Sequence, residues 1–192
     1  MQNALNQFEL LYKKYYRALH YFCRQYVQND EDAEEIVHDA YVAVWERREN
    51  LDLDLQLKPY LYKAVRNKSL NFLQKRKIEV QEVEEIENLQ HKTDVSPLEV
   101  LYTKETEQLI VELIHTLPPR CKQVFLLSRK EGFSYKEISD IMDISPKTVE
   151  NQIGIAIKQI KEGIEKRNKT IDKKNEKFPL VLLIGAALEH FY

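Results

Sequence analysis

The sequence predicts an all-α protein of two small helical domains joined by a flexible acidic linker, with a helix-turn-helix in the second domain. Three observations predict it. Glycine (4) and proline (6) are sparse in 192 residues while 31% are charged, so little interrupts long amphipathic runs. Apolar residues recur at helical spacing along most of the chain. Two helix starts also stand close together near the C-terminus. Ser134 with Glu137 has the capping-box spacing, in which each side chain satisfies a backbone N–H at the helix entrance. Ser145 followed by Pro146 is an N-cap with proline at the first helical position.

Residues 1–78 read as a three-helix domain. The first helix runs roughly from Asn6 to Val27, with Phe8, Leu11, Tyr12, Tyr15, Leu19, Phe22, Cys23 and Tyr26 on one side. Asn29-Asp30-Glu31-Asp32 is a turn and an acidic entrance favoured by the helix dipole. The second helix, about Glu31 to Arg48, places Ala33, Ile36, Val37, Ala40, Tyr41, Val44 and Trp45 on one stripe. Glu49–Leu57 reads as a loop, and Pro59 opens a third helix ending near Lys77. Residues 79–96 are acidic with few large apolar side chains in register, the composition of a tether.

The second domain spans 97–168. Ser96-Pro97-Leu98-Glu99 has capping-box spacing and opens a long helix, Pro97 to Thr116. Pro118-Pro119 stops it and starts a helix holding Val124, Phe125, Leu126 and Leu127, which ends at Gly132. Tyr135 to Met142 suits a two-turn helix, and Asp143-Ile144-Ser145 is a tight connector. The last helix buries Val149, Ile153, Ala156, Ile157, Ile160 and Ile164, leaving Lys147, Thr148, Asn151, Gln152, Ile155 and Lys158 on its opposite face. In helix-turn-helix geometry that face lies in the major groove. Asn and Gln can read adenine there, and Lys can contact guanine or phosphate. In the tail, 169–192, a polar stretch precedes the apolar run Phe178 to Leu188, about half the roughly 20 residues a membrane span needs. It reads first as packing on its own domain, next as docking on a partner, and last as membrane contact.

A net charge of -2 gives no whole-chain argument for nucleic acid. The distribution is more telling. Lys58, Lys63, Arg66, Lys68, Lys75, Arg76 and Lys77 follow one another without an acid, between an acidic stretch from Asp30 to Asp39 and another from Glu79 to Glu87. Such a pattern offers one surface to phosphates and others to a protein partner. The two halves are expected to have separate cores, with these cations exposed. Cys23 and Cys121 sit far apart in apolar helical contexts and read as core thiols of a reducing compartment. No secretory pattern opens the chain, so a cytoplasmic location is expected.

No nucleophile–base pairing, phosphate-binding glycine loop or zinc spacing is present, so neither a cofactor nor catalysis is expected. Glu35-x-x-His38 and Glu112-x-x-His115 repeat the spacing of di-iron bundles, whose ligands must point inward. Here both pairs fall off the apolar stripes.

The motifs Asp32-Ala33-Glu34-Glu35-Ile36-Val37-His38-Asp39 with Trp45-Glu46, and Tyr60-Leu61 followed by Asn67-Lys68-Ser69-Leu70-Asn71, stand in the first domain. Leu117-Pro118-Pro119-Arg120, Gly132-Phe133-Ser134-Tyr135-Lys136-Glu137-Ile138 and Ser145-Pro146-Lys147-Thr148-Val149 stand in the second. In this order and spacing the chain resembles bacterial RNA polymerase sigma factors of the extracytoplasmic-function class, particularly those typical of the Bacteroidetes lineage. The resemblance covers about Phe8 to Lys77 and Leu117 to Lys161.

The resemblance implies that the second helix docks on the β′ clamp helices of core RNA polymerase (β and β′ subunits) through Asp32, Glu35, Asp39, Glu46 and Arg47, with Trp45 in the core. It implies that the third helix captures the minus-ten promoter region. Melting is driven by trapping unstacked bases, so Tyr60 and Tyr62 would stack, Lys63, Arg66, Lys68, Lys75 and Arg76 would hold phosphates, and Asn67 and Asn71 would meet base edges. The Glu49–Leu57 loop would help form the pocket for a flipped base. In the second domain Lys147, Thr148, Asn151 and Gln152 would contact the minus-thirty-five element, with Arg120, Tyr135 and Lys136 on phosphates. At Gln152, Gly154 and Ile155 the chain departs from the arginine or polar residues common in the class. An anti-sigma factor is a further expected partner. The rival reading is a stand-alone helix-turn-helix regulator, which would bind duplex DNA tightly without polymerase.

Overall fold

A computed structural model of the chain describes residues 2–47, 57–81 and 103–170. Among them every element is helical: α1 (Gln2–Cys23), α2 (Asp30–Glu46), α3 (Leu57–Gln81), α4 (Thr103–His115), α5 (Pro119–Arg129), α6 (Tyr135–Met142) and α7 (Pro146–Thr170). The expected loop at 48–56, the capping box at Ser96, the tether beyond Gln81 and the apolar tail lie outside the described residues.

The first module packs α1, α2 and α3 around Leu19, Phe22, Val37, Ala40, Val44, Leu61 and Val65, all nearly inaccessible. α1 stops at Cys23, earlier than its apolar pattern, because the chain tightens into turns: Gln25 and Tyr26 donate to the carbonyls of Phe22 and Cys23. Asn29 then caps α2, its side-chain oxygen accepting from the Glu31 N–H at 3.0 Å. Pro59 falls within the first turn of α3, which tolerates it because that N–H has no helical partner anyway. α3 continues past Lys77 to Gln81.

In the second module α7 is the central helix, burying Val149, Ile153, Ala156 and Ile160 against α4, α5 and α6. Val149, Ile153 and Ile160 each stabilise the fold by about 1.5–3 kcal/mol, and Ala156 by less, since it buries only a methyl. The capping box at α6 forms in both directions: Ser134 N–H donates to Glu137 Oε2 at 2.8 Å, and Glu137 N–H donates to Ser134 Oγ at 3.3 Å. The Ser134 hydroxyl, donating to Glu137 Oε2 at 2.6 Å, and then the Ser134 N–H hold the Glu137 carboxyl below its ordinary range. Asp143, at φ 50, makes the left-handed turn between α6 and α7, and Ser145 Oγ accepts from the Thr148 N–H at 3.0 Å.

α4 crosses α7 at Gly163, where an added Cβ would run into the Leu113 side chain. Overpacking costs about 1–3 kcal/mol, but rotation of the flexible Leu113 end lowers that and better helix propensity offsets up to about 1 kcal/mol. Alanine at Gly163 is therefore expected to destabilise by no more than about 2 kcal/mol. Alanine at Gly154, where nothing lies within 4 Å, should instead stabilise by up to about 1 kcal/mol. Denaturant unfolding of the two variants checks both signs.

The expectation of separate cores is corrected. Buried side chains of both modules form one cluster, bridged where Phe133 enters the first module. Its ring meets Tyr62 edge-on at 5.1 Å, and Tyr62 packs on Phe22 at 5.1 Å. The Lys58 ammonium lies 4.8 Å from the Phe133 ring centre and donates to Glu131 Oε2 at 2.9 Å and the Glu131 carbonyl at 2.7 Å. Tyr26 adds contacts to Gln123 at 3.4 Å and Met142 at 3.7 Å. Gly132, at φ 74, aims Phe133 inward, a backbone state glycine adopts at little cost. α3 also packs against α6, and no helical period within either module signals this junction, since each partner is distant in sequence.

Candidate nucleic-acid and partner interfaces

Three surfaces collect the residues singled out by sequence. The first is the outer face of α2. Glu35, Asp39 and Glu46 are exposed there at helical spacing, and Val42 stands among them at 55% exposure. Glu35 and His38 both face outward, and His38 Nε2 meets Tyr12 OH at 2.7 Å. Trp45 is half-buried against Phe8, with ring centres 4.9 Å apart. Asp32 does not share the outer face: only 21% exposed, it turns toward the end of α3, where Arg76 Nη1 lies 3.4 Å from its carboxylate. Arg47, just past the helix end, is exposed and donates to Tyr60 OH at 3.1 Å.

The second surface is α3. Lys63, Asn67, Asn71 and Lys75 recur every fourth residue and are exposed, while Tyr60, Arg66 and Lys68 are half-buried. Tyr62 is corrected: at 1% exposure it is a core residue, and stacking on a base would require tearing it from Phe22 and Phe133. Lys58 is likewise engaged with Glu131 and is not an open cation. Lys68 donates to Asp39 Oδ2 at 3.0 Å, so α2 and α3 lie side by side with carboxylates and cations interleaved. Between the start of α2 and the end of α3 lies an open groove of about 340 Å³, lined by Asn29, Asp32, Phe72, Lys75 and Arg76. Phe72 was not legible as a surface residue, because its position also fits the apolar stripe of α3.

The third surface is the helix-turn-helix. Lys147 and Asn151 are exposed, Thr148 and Gln152 are half-buried, and Ile155 is 43% exposed on the same face. Arg120, Lys136 and Tyr135 flank it from α5 and α6, all exposed. Lys147 reaches Glu150 at 2.7 Å on the surface, a pairing worth little in water and readily exchanged for a phosphate. The Cys121 thiol, buried on α5, donates to the Gln152 carbonyl at 3.2 Å and ties α7 to the helix behind it. Its burial pushes that thiol's pKa up, so it serves as a packing group and weak donor. At the end of α4, partial burial and the neighbouring Lys122 hold His115 below the ordinary imidazole value, with Lys122 Nζ 3.1 Å from its Nδ1. His115 is thus committed to α5, apart from Glu35 and His38 on α2.

Against this geometry, the comparisons are specific. The family model of sigma-70 region 2 matches residues 11–78, and that of sigma-70 region 4 matches residues 107–160. The matches together span more than half of the chain, which belongs to the sigma-70 family. The ECF RNA polymerase sigma-E factor of Haemophilus influenzae is 27% identical over 172 residues, 85% of this chain and 90% of that protein. Its Escherichia coli counterpart is 26% identical over 154 residues, 76% of this chain and 80% of that protein. The fold is similar to that of the sigma factor RpoE of Bartonella quintana, solved with the anti-sigma factor NepR (TM-score 0.58, 21% identity, 86% of this chain and 98% of that one). Within the family the chain falls in the extracytoplasmic-function class, as an RNA polymerase sigma factor that directs promoter recognition, DNA melting and transcription initiation with core polymerase.

Proposed function

We propose that the three surfaces divide that work. The outer face of α2 docks on core polymerase through Glu35, Asp39 and Glu46, with Arg47 at its end. Val42, a residue the sequence reading passed over, is the apolar anchor of this contact. Docking would desolvate this side chain while the surrounding charges form the rim that excludes water, although valine is less common in that role than tryptophan, tyrosine or arginine. The exposed face of α3, carrying Lys63, Asn67, Asn71 and Lys75 with Tyr60 beside it, takes the minus-ten strand. Asn71 and Asn67 meet base edges while the cations hold phosphates. Lys147, Thr148, Asn151 and Gln152 read the minus-thirty-five element, with Arg120, Tyr135 and Lys136 fixing register on phosphates.

The observation that carries this reading is the interleaving of α2 and α3. Asp39 pairs with Lys68 and Asp32 with the still largely exposed Arg76, so these carboxylates lower the positive potential of the DNA face in the free protein. The protein acts in the cytoplasm, where polymerase and promoters are; among the described residues no helix is long and apolar enough to cross a membrane. It supplies no catalysis of its own, and an anti-sigma partner would compete for the same exposed faces.

Purified protein alone should shift a promoter duplex weakly, and adding core polymerase should give initiation at one start site. Tight sequence-specific duplex binding without polymerase would instead favour a stand-alone regulator. Serine at Val42 should lower affinity for core polymerase about tenfold, in line with loss of a hot-spot side chain. Its melting temperature should stay unchanged, since the side chain is 55% exposed. A titration of labelled variant with core enzyme measures this.

A further inference from the structure

Ile155 is an anomaly on α7. The apolar core of the second module is complete without it: Val149, Ile153, Ala156 and Ile160 fill the buried stripe, and Ile157 and Ile164 pack at its margin. Ile155 points the other way, 43% exposed, one turn beyond Asn151 and between it and Lys158. A β-branched residue on an exposed helical surface has slightly poorer helix propensity than the alanine, lysine or glutamate usual there, so helix formation does not account for it. Gly154 precedes it, equally exposed and with open space around it, so the helix surface at this point is low and free of other side chains.

We propose that Ile155 reads the 5-methyl group of a thymine in the upstream promoter element. The proposal deepens the minus-thirty-five reading above and rests on it. Among the base edges displayed in the major groove, the thymine methyl is the one apolar group. An isoleucine placed against guanine, cytosine or adenine would cover hydrogen-bonding groups without satisfying them, whereas against thymine it covers a methyl. Asn151, four residues earlier, has the amide geometry that pairs with adenine. Four residues advance roughly 6 Å along a helix, and successive base pairs are about 3.4 Å apart. The thymine should therefore lie within about two base pairs of the adenine that Asn151 contacts. An arginine at this position would select guanine, so this one side chain changes which promoters the protein accepts.

The test uses the full chain bound to core polymerase, selecting from promoters randomised upstream. Thymine should be enriched at one position within about two base pairs of an A·T pair. Replacing it by deoxyuridine, which removes only the methyl, should weaken holoenzyme binding about three- to fourfold, the factor expected for one buried methyl. Ile155→Ala, whose shorter side chain withdraws from the groove, should bind the thymine promoter less tightly and distinguish it less from the uracil one, with a melting temperature no lower than that of the native protein. Absence of thymine enrichment, or an equal uracil penalty in native and Ile155→Ala proteins, overturns the proposal. Asn151→Ala separates the two levels of argument. If it abolishes upstream sequence dependence while uracil has no effect, the thymine contact alone fails. If neither substitution alters that dependence, the minus-thirty-five interface itself is misplaced.

Discussion

Alanine at Phe133 is expected to destabilise the protein by about 3–5 kcal/mol, the range for truncating a buried phenylalanine. It should also split its unfolding into two transitions. The ring is 6% exposed although it stands in a loop, and it fills a site built by the other module: Tyr62 at 5.1 Å and the Lys58 ammonium at 4.8 Å. Without it, Lys58 and Glu131 lose the apolar cover that strengthens their pairing, and the modules are left joined by the α3–α6 packing and by Tyr26 contacts that are long at 3.4 and 3.7 Å. Each module keeps its own helices and stripe, so each should melt by itself. Calorimetry or denaturant unfolding followed by far-UV dichroism and tyrosine fluorescence checks this. A loss below about 1 kcal/mol, with native and variant proteins showing the same transitions, would mean that Phe133 does not couple the modules.

Phe133 also marks where sequence reasoning ends. The stripes of α2 and α7 specify which faces are buried, and the capping box at Ser134 and the Ser145-Pro146 start place α6 and α7 to the residue. Those features are local: a helix period or a cap is written within a few residues. The junction of the modules is not local, since nothing in Gly132-Phe133 names Tyr62 as its neighbour. Tyr62 was misread for the same reason. On a helix with cations around it, an aromatic side chain is equally suited to a core and to a stacking platform, and only the approach of the second module decides. Asp32 shows the finer limit. It lies in the same acidic run as Glu35 and Asp39, yet α3 passes close enough to turn it from partner surface to Arg76. Val42 and Ile155 were visible by spacing alone, as apolar residues on faces the period assigns to solvent.

Substituting lysine for Asp39 should move two measurements in opposite directions. Core polymerase affinity should fall by two or more orders of magnitude, because like charges brought together at an interface cost several kcal/mol. Duplex DNA affinity of the free protein should rise, because the Asp39–Lys68 pair at 3.0 Å is gone and Lys68 can reach a phosphate. The fold should survive, since the carboxylate is 61% exposed and a surface pair contributes about 0–1 kcal/mol. A structural defect would lower both affinities, so the opposite signs are diagnostic. Asp39→Asn isolates the unmasking: it adds no cation, yet the salt dependence of DNA binding should steepen by about 0.9 in log–log slope, one further phosphate contact. Glu46→Lys supplies the counter-case. It carries the same charge change on the same docking face, but its carboxylate has no described ion pair with α3. It should therefore lose polymerase with only the general electrostatic gain for DNA. If Asp39→Lys and Glu46→Lys raise DNA affinity equally, the interleaved pairs do not mask the DNA face, and the weakness of the free protein on promoters must come from the closed packing of the two modules.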